Sequence, residues 1–192
     1  MTRLFLVRHG PTHVKAMVGW SDVPADLGDS AALARLSAHL PDTALVVSSD
    51  LIRAVATADA IQGPRHRLPH LAGLREFHFG SWELRSAPEI EAADPALARA
   101  YWDDPGDTRP PGGESWNDGR QRMDAAIDAL LRDHAGGDLI VVAHFGLILS
   151  QLQRALAVPP AQVLAQPIDT LSVTALERSG TGWQVGAINH RP

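Results

Sequence analysis

Leu4-Phe5-Leu6-Val7 stops abruptly at Arg8-His9-Gly10-Pro11. The same form recurs at Ala44-Leu45-Val46-Val47 before Ser48-Ser49-Asp50, and at Leu139-Ile140-Val141-Val142-Ala143 before His144-Phe145-Gly146. Apolar runs this short, bounded by polar or turn-forming residues, predict buried strands rather than helices. A helical pattern follows each. Leu33, Leu36 and Leu40 mark a helix from Ala31 to about His39, capped by Asp29 or Ser30. A second runs from Leu51 to Ile61, with Asp50 as the expected N-cap and Gly63-Pro64 as its stop, and a third from Leu147 to Leu156. Strand–helix alternation predicts an α/β fold with a mostly parallel sheet, whose strand ends lie side by side. Ligands bind beyond that edge in open α/β sheets, and it is where Arg8, His9, Arg53 and His144 fall.

The remaining segments are less regular. Residues 13–24 read as a loop beside the first strand end, and Arg67 to Leu71 as a short edge strand. Residues 75–113 hold one helical pattern, Pro95 to Trp102, among Pro and Gly breaks, and are expected to cover the site within a single domain spanning 1–192. Ser115 and Asp118 have capping-box spacing ahead of a helix carrying Met123, Ile127, Leu130 and Leu131 on one face, closed by Gly136-Gly137. Thr170 to Glu177 and Gly182 to Ile188 predict a final hairpin around Arg178-Ser179-Gly180.

Composition narrows the function classes. A net charge of −5 argues against nucleic acid or an anionic membrane as partner. The absence of cysteine excludes disulfides and thiolate chemistry and fits a cytoplasmic protein. Leu4 to Val7 is too short for the apolar part of a signal peptide, and no run could span a bilayer. Pro69 spoils the helix that would bring His66 and His70, four residues apart, onto one face, and no metal is expected. Phosphate-loop and dinucleotide glycine motifs are missing, and Ser48-Ser49 lacks the surroundings of a nucleophilic serine.

Two arginines and two histidines at one sheet edge suit phosphoryl transfer. That reaction spreads negative charge over equatorial oxygens and is catalysed mainly by positioning and charge stabilisation. Arginine supplies a charged planar fork. A histidine nucleophile must be neutral, and neighbouring cations favour that form. On this reading His9 attacks, Arg8 and Arg53 hold the phosphoryl group, and His144 donates to it, a role that protonation would assist. The leaving alkoxide needs an acid, for which the residues leave Glu76 and Glu83 open.

The chain resembles the histidine phosphatase superfamily, the phosphoglycerate mutase-like proteins, over nearly its full length. The resemblance is carried by Leu6-Val7-Arg8-His9-Gly10-Pro11-Thr12, Ser48-Ser49-Asp50-Leu51-Ile52-Arg53-Ala54, and Leu74-Arg75-Glu76 with Gly80, Trp82 and Glu83. Pro111-Gly112-Gly113-Glu114-Ser115 and Val141-Val142-Ala143-His144-Phe145-Gly146 complete it. It implies a three-layer α/β/α sandwich and a phosphohistidine intermediate on His9. It also implies a pocket of Arg8, Arg53 and His144, Glu76 as proton donor, and no metal or organic cofactor. Thr12 and Lys15 are grouped with these residues as substrate-binding.

This chain departs from the family pattern at Lys15, where many members have Asn, at Phe145 in place of Gly, and at Leu84 in place of Gly. Lys15 is expected to bind a second substrate anion or to tighten the phosphate pocket. The implied activity is hydrolysis of a small phosphorylated metabolite by a metal-independent, acid-type phosphatase. The alternatives are an α-ribazole-5'-phosphate phosphatase, a phosphoglycerate mutase, or a non-catalytic phospholigand-binding protein. Trp20, Tyr101, Trp102 and Trp116 are candidates to line the substrate pocket; a homodimer is left open.

Overall fold

The computed structural model describes residues 1–180 and 182–192. Its sheet has the order β2-β3-β1-β4-β5, from Leu45–Ser48 (β2), Asp138–Ala143 (β3), Thr2–Arg8 (β1), Val173–Ser179 (β4) and Gly182–Val185 (β5). β2, β3 and β1 are parallel, while β4 runs antiparallel to β1 and β5 to β4. Strand side chains alternate between faces, and here both faces are apolar. Leu4, Leu6, Leu139, Val141 and Val47 pack with Met123 and Ile127 of α5 (Trp116–Asp133) and Leu147 and Ile148 of α6 (Phe145–Leu156). Val7, Ile140, Val142 and Val46 pack with Leu33 and Leu36 of α1 (Ser30–His39) and Ala54, Ala58 and Ile61 of α2 (Ile52–Ile61). Two helical layers around one sheet give the three-layer α/β/α sandwich.

Register explains why the strand ends meet. Val7 pairs with Val142 and Arg8 with Ala143, while Ser48 of β2 pairs with Val142. The amide of His9 donates to Ala143 O at 3.0 Å and that of Ser49 to Val142 O at 3.2 Å. Arg8-His9, Ser49 and His144 therefore emerge at one level of the sheet.

Between α2 and α5 lie α3 (Ala87–Ala93) and α4 (Pro95–Asp103), which with Trp82 form a third apolar cluster of Trp82, Ile90, Ala98 and Tyr101. Sequence periodicity marks α4 but not α3, whose start is fixed by a capping box between Ser86 and Glu89. The predicted capping box of α5 forms in both directions: the Asp118 amide donates to Ser115 Oγ at 3.1 Å and the Ser115 amide to Asp118 Oδ2 at 2.9 Å. Short helix α7 (Pro160–Leu164) was also unmarked.

Several expectations need correction. Asp50 does not cap α2: Leu51 occupies that position without a side-chain bond, and the free Ile52 amide donates to Asp22 Oδ1 at 2.7 Å. Asp50 instead accepts two bonds from Arg75, at 2.7 and 2.6 Å. Arg67 to Leu71 is not a strand but runs beside β2 with one isolated bridge, Val46 to Arg67. β4 begins later than predicted, at Val173 after Leu171 takes a left-handed φ of 61°, and runs on to Ser179, whereas β5 begins at Gly182 as predicted but stops at Val185. Among the described residues no helix is long and apolar enough to cross a membrane.

Candidate active site

His9 follows directly on β1, where Gly10-Pro11 ends the strand, and is only 7% exposed. Its Nδ1 lies 2.7 Å from the carbonyl oxygen of Gly10. A carbonyl can only accept, so Nδ1 carries the proton and Nε2 has the lone pair. Nε2 in turn accepts from Arg53 Nε at 3.3 Å. Burial, reinforced by the Arg53 and Arg8 charges, pushes the His9 pKa down to about 3, so the ring is neutral.

Arg53 sits in the first turn of α2 and is fully buried. Its other nitrogens donate to Ser21 O at 2.9 Å and Gly19 O at 2.6 Å, which fixes the guanidinium beside His9. Those carbonyls are presented by a loop that Glu83 holds. The Glu83 carboxylate accepts from the amides of Gly19 (3.1 Å), Trp20 (2.8 Å), Ser21 (3.1 Å) and Phe79 (3.1 Å) and from Ser21 Oγ (2.6 Å). Burial alone would raise the Glu83 pKa, but these bonds, led by Ser21, outweigh it and keep the group ionised. A side chain at Gly19 would place its Cβ 2.4 Å from Glu83 Oε1.

Arg8 donates to Ile168 O at 2.5 Å and lies 5.3 Å over the Phe145 ring. Its Nε is buried without a hydrogen-bond partner among the described residues, as is His144 Nδ1. Buried polar atoms in proteins are almost always paired, so two such atoms at one sheet edge call for a bound polar group. His144 is completely buried, 5.1 Å from His9 ring to ring, with Nε2 2.7 Å from Ser49 Oγ. Burial, then the nearby His9 and Arg53, holds its pKa well below the ordinary value. Burial thus favours the neutral form of this ring.

Glu76 lies in the loop before α3 and is buried at 7% exposure. Its carboxyl accepts from the Phe77 amide at 3.0 Å and from the Gly146 amide, in the first turn of α6, at 3.1 and 3.0 Å to the two oxygens. Burial raises its pKa against these bonds and the pull of Arg53 and Arg8. Gly146 is required by close approach, since a Cβ there would lie 2.4 Å from Glu76 Oε1. The Glu76 backbone is fixed as well: its carbonyl accepts from Trp20 Nε1 at 2.8 Å and from Arg122 at 3.0 Å. Arg122 is anchored by Glu114 at 2.7 Å.

Arg8, His9, Arg53, Glu76 and His144 thus meet at one place. Thr12 is half-buried just beyond the strand end, with no side-chain hydrogen bond among the described residues. Lys15 is exposed, and no hydrogen bond or ion pair joins it to another described residue. Sequence reasoning missed Ser49, although its place just after β2 put it at the right edge, and it missed Arg122 and the work of Glu83. Among the described residues no group of three or more His, Asp or Glu is placed to hold a metal ion. The arrangement has an unprotonated ring nitrogen, two guanidiniums and a carboxyl group biased toward its acid form. That set can bind a phosphoryl group, attack it and protonate what leaves.

Similarity to known proteins agrees with this chemistry. The chain is 37% identical to a glucosyl-3-phosphoglycerate phosphatase of Mycolicibacterium vanbaalenii over 173 residues, 82% of this chain and 75% of that protein. It is 30% identical to an adenosylcobalamin/α-ribazole phosphatase of Salmonella typhimurium over 171 residues, 84% of this chain and 83% of that one. The solved structure of Bacillus stearothermophilus YhfR superposes with a TM-score of 0.90 at 28% identity, covering 98% of this chain and 97% of that one. The family model for the histidine phosphatase superfamily (branch 1) matches residues 4–191, and to that superfamily this chain belongs.

Proposed function

We propose that this protein hydrolyses small phosphomonoesters through a phosphohistidine on His9. The observation that carries the reading is the state of that ring: the Gly10 carbonyl fixes the proton on Nδ1, and Nε2 faces the buried Arg53 guanidinium. The phosphate of the substrate binds between Arg8, Arg53 and His144, where its oxygens accept from the unpartnered Arg8 Nε. Nε2 of His9 attacks phosphorus while the ester P–O bond breaks. Glu76, protonated through burial, gives its proton to the departing alkoxide and leaves an alcohol. The resulting carboxylate then takes a proton from water, whose oxygen attacks phosphorus as the N–P bond breaks. Inorganic phosphate leaves and Glu76 is again an acid.

The two guanidiniums supply the positive charge that a metal ion provides in other phosphatases, so turnover needs no metal. Residues 75–113 serve as a cover within one domain. The curated relatives compared above are phosphatases, which favours hydrolysis over mutase chemistry, and their substrates head the list to assay. Incubation with p-nitrophenyl phosphate in the presence of a chelator should release phosphate, and alkaline denaturation during turnover of an ester radiolabelled in its phosphate should trap label on the protein, since the N–P bond survives alkali but not acid. His9→Ala should abolish both. Turnover retained in that variant would overturn the reading.

A further inference from the structure

Tyr101, Trp102 and Trp116, three aromatics far from the sheet edge in sequence, meet at one cavity, and Glu76, Phe77 and Phe145 complete much of its wall. No lysine or arginine lines it among the described residues. Apart from Glu76, its polar side-chain atoms are the hydroxyls of Tyr101 and Thr108 and indole N–H groups, and that of Trp116 already donates to Gln153 Oε1 at 2.6 Å. The Tyr101 phenol, pushed well above its ordinary pKa first of all by burial, stays neutral. The mouth is wet, because Trp102 is 50% exposed.

We propose that this cavity receives the alcohol part of the substrate, and that this alcohol is uncharged and carries apolar carbon, aromatic or branched, next to the ester oxygen. The inference rests on Glu76 being the acid. An acid must lie within hydrogen-bond reach of the leaving oxygen, so the carbon attached to that oxygen enters whatever space opens at Glu76. Here that space is aromatic-walled. A carboxylate carried into it would lose water, find no cation, and face Glu76 once the proton has gone. At about 60 Å³ the cavity is smaller than the ~150 Å³ that encloses a benzene ring in an apolar core. It therefore encloses the first atoms of the alcohol and leaves the rest against exposed Trp102. Phe145 sharpens the preference, since it supplies wall on the cavity side and lies under the Arg8 guanidinium.

Three alkyl monoesters of similar leaving ability separate this inference from the reading it rests on: benzyl phosphate, glycerol phosphate and 3-phosphoglycerate. The expected order of kcat/KM is benzyl above glycerol phosphate by ~10-fold or more, with 3-phosphoglycerate lowest, which is the scale at which apolar pockets discriminate. Trp102→Ala and Phe145→Gly should each shrink the benzyl-to-glycerol ratio several-fold. Equal rates, or 3-phosphoglycerate as the best of the three, would overturn the cavity assignment and leave the phosphatase reading standing. Hydrolysis of none would overturn both. The wild-type comparison decides the matter even if a variant fails to fold.

Discussion

Glu83 and Arg53 do not touch, yet each grips the same loop: Glu83 binds the amides of Gly19 and Ser21, and Arg53 binds their carbonyls. The peptide units between them act as a rigid spacer. Arg53 has one remaining contact of consequence, its Nε on Nε2 of His9. A carboxylate remote from the reacting atoms thereby sets the position of the main buried cation. The same observation favours Glu76 over Glu83 as the acid of the proposed reaction. Glu83 is saturated with donors and held ionised, whereas Glu76 is biased toward its protonated form.

Glu83→Ala is therefore expected to lower kcat by up to ~100-fold, the cost of a small misplacement at a distance from the chemistry. Because positioning differs from proton donation, the loss should be the same for p-nitrophenyl phosphate and for an alkyl phosphate. Competitive inhibition by inorganic phosphate should weaken in parallel. A loss confined to the alkyl ester would make Glu83 the acid after all.

Glu76→Gln should show the opposite signature. Gln keeps the shape and an oxygen for the Gly146 amide but has no proton to give. An alkyl phosphate should slow by ~10²- to 10⁴-fold, the usual worth of general acid catalysis, and p-nitrophenyl phosphate far less. In wild-type enzyme the alkyl rate should fall as pH rises through the raised Glu76 pKa, and that limb should vanish from the variant. Steady-state profiles of both esters check this.

Asp22 and Asp50 invite a thermal comparison. Asp22 accepts from the first amide of α2, so Asp22→Ala should cost about 1 kcal/mol, as lost N-caps do. Asp50 is a bidentate partner of Arg75, which lies 4.8 Å over Trp20, whose indole holds the Glu76 carbonyl. Were Asp50 the cap, Asn would replace it with little loss. As a charge partner it should not be replaceable, and melts of Asp50→Asn should match those of Asp50→Ala.

That pair shows what the sequence can and cannot reveal. Much that local pattern sets was legible: the buried strands, the Ser115–Asp118 box, and the placement of Arg8, His9, Arg53 and His144 at one edge, which follows from strand register, although the equally local Ser86–Glu89 box of α3 went unread. Asp50 stood in the right place for a cap, but a partner from 25 residues away, Arg75, outcompeted the local amide. Asp22 could not be found, since its target lies 30 residues on. Glu83, Arg122 and Ser49 escaped for the same reason: each acts on chain that only folding brings near. Lys15, singled out by the family resemblance, is exposed in the loop that follows Thr12.

The two neutral histidines should leave a mark on stability. In an unfolded chain each titrates near ~6.5, whereas burial, then Arg53, drives His9 down to about 3, and burial, then His9 and Arg53, holds His144 well below its ordinary value. Below pH ~6.5 the unfolded chain therefore binds protons that the folded one refuses, and acid favours unfolding. The stability tied to His9 is complete above that pH and is lost progressively as pH falls toward about 3. Between pH ~7 and ~5 the loss from His9 alone is about 2 kcal/mol. Glu76 has the reverse sign, because its folded pKa is raised: its contribution is present at low pH and declines as pH rises above the ordinary carboxyl range. The histidines outnumber it, so the wild-type melting temperature should drop on acidification over this window. His9→Asn, which keeps a donor for the Gly10 carbonyl but cannot titrate, should melt with a flatter pH dependence. Parallel curves would mean that His9 is not held neutral by its surroundings, and would remove the physical basis for making it the nucleophile.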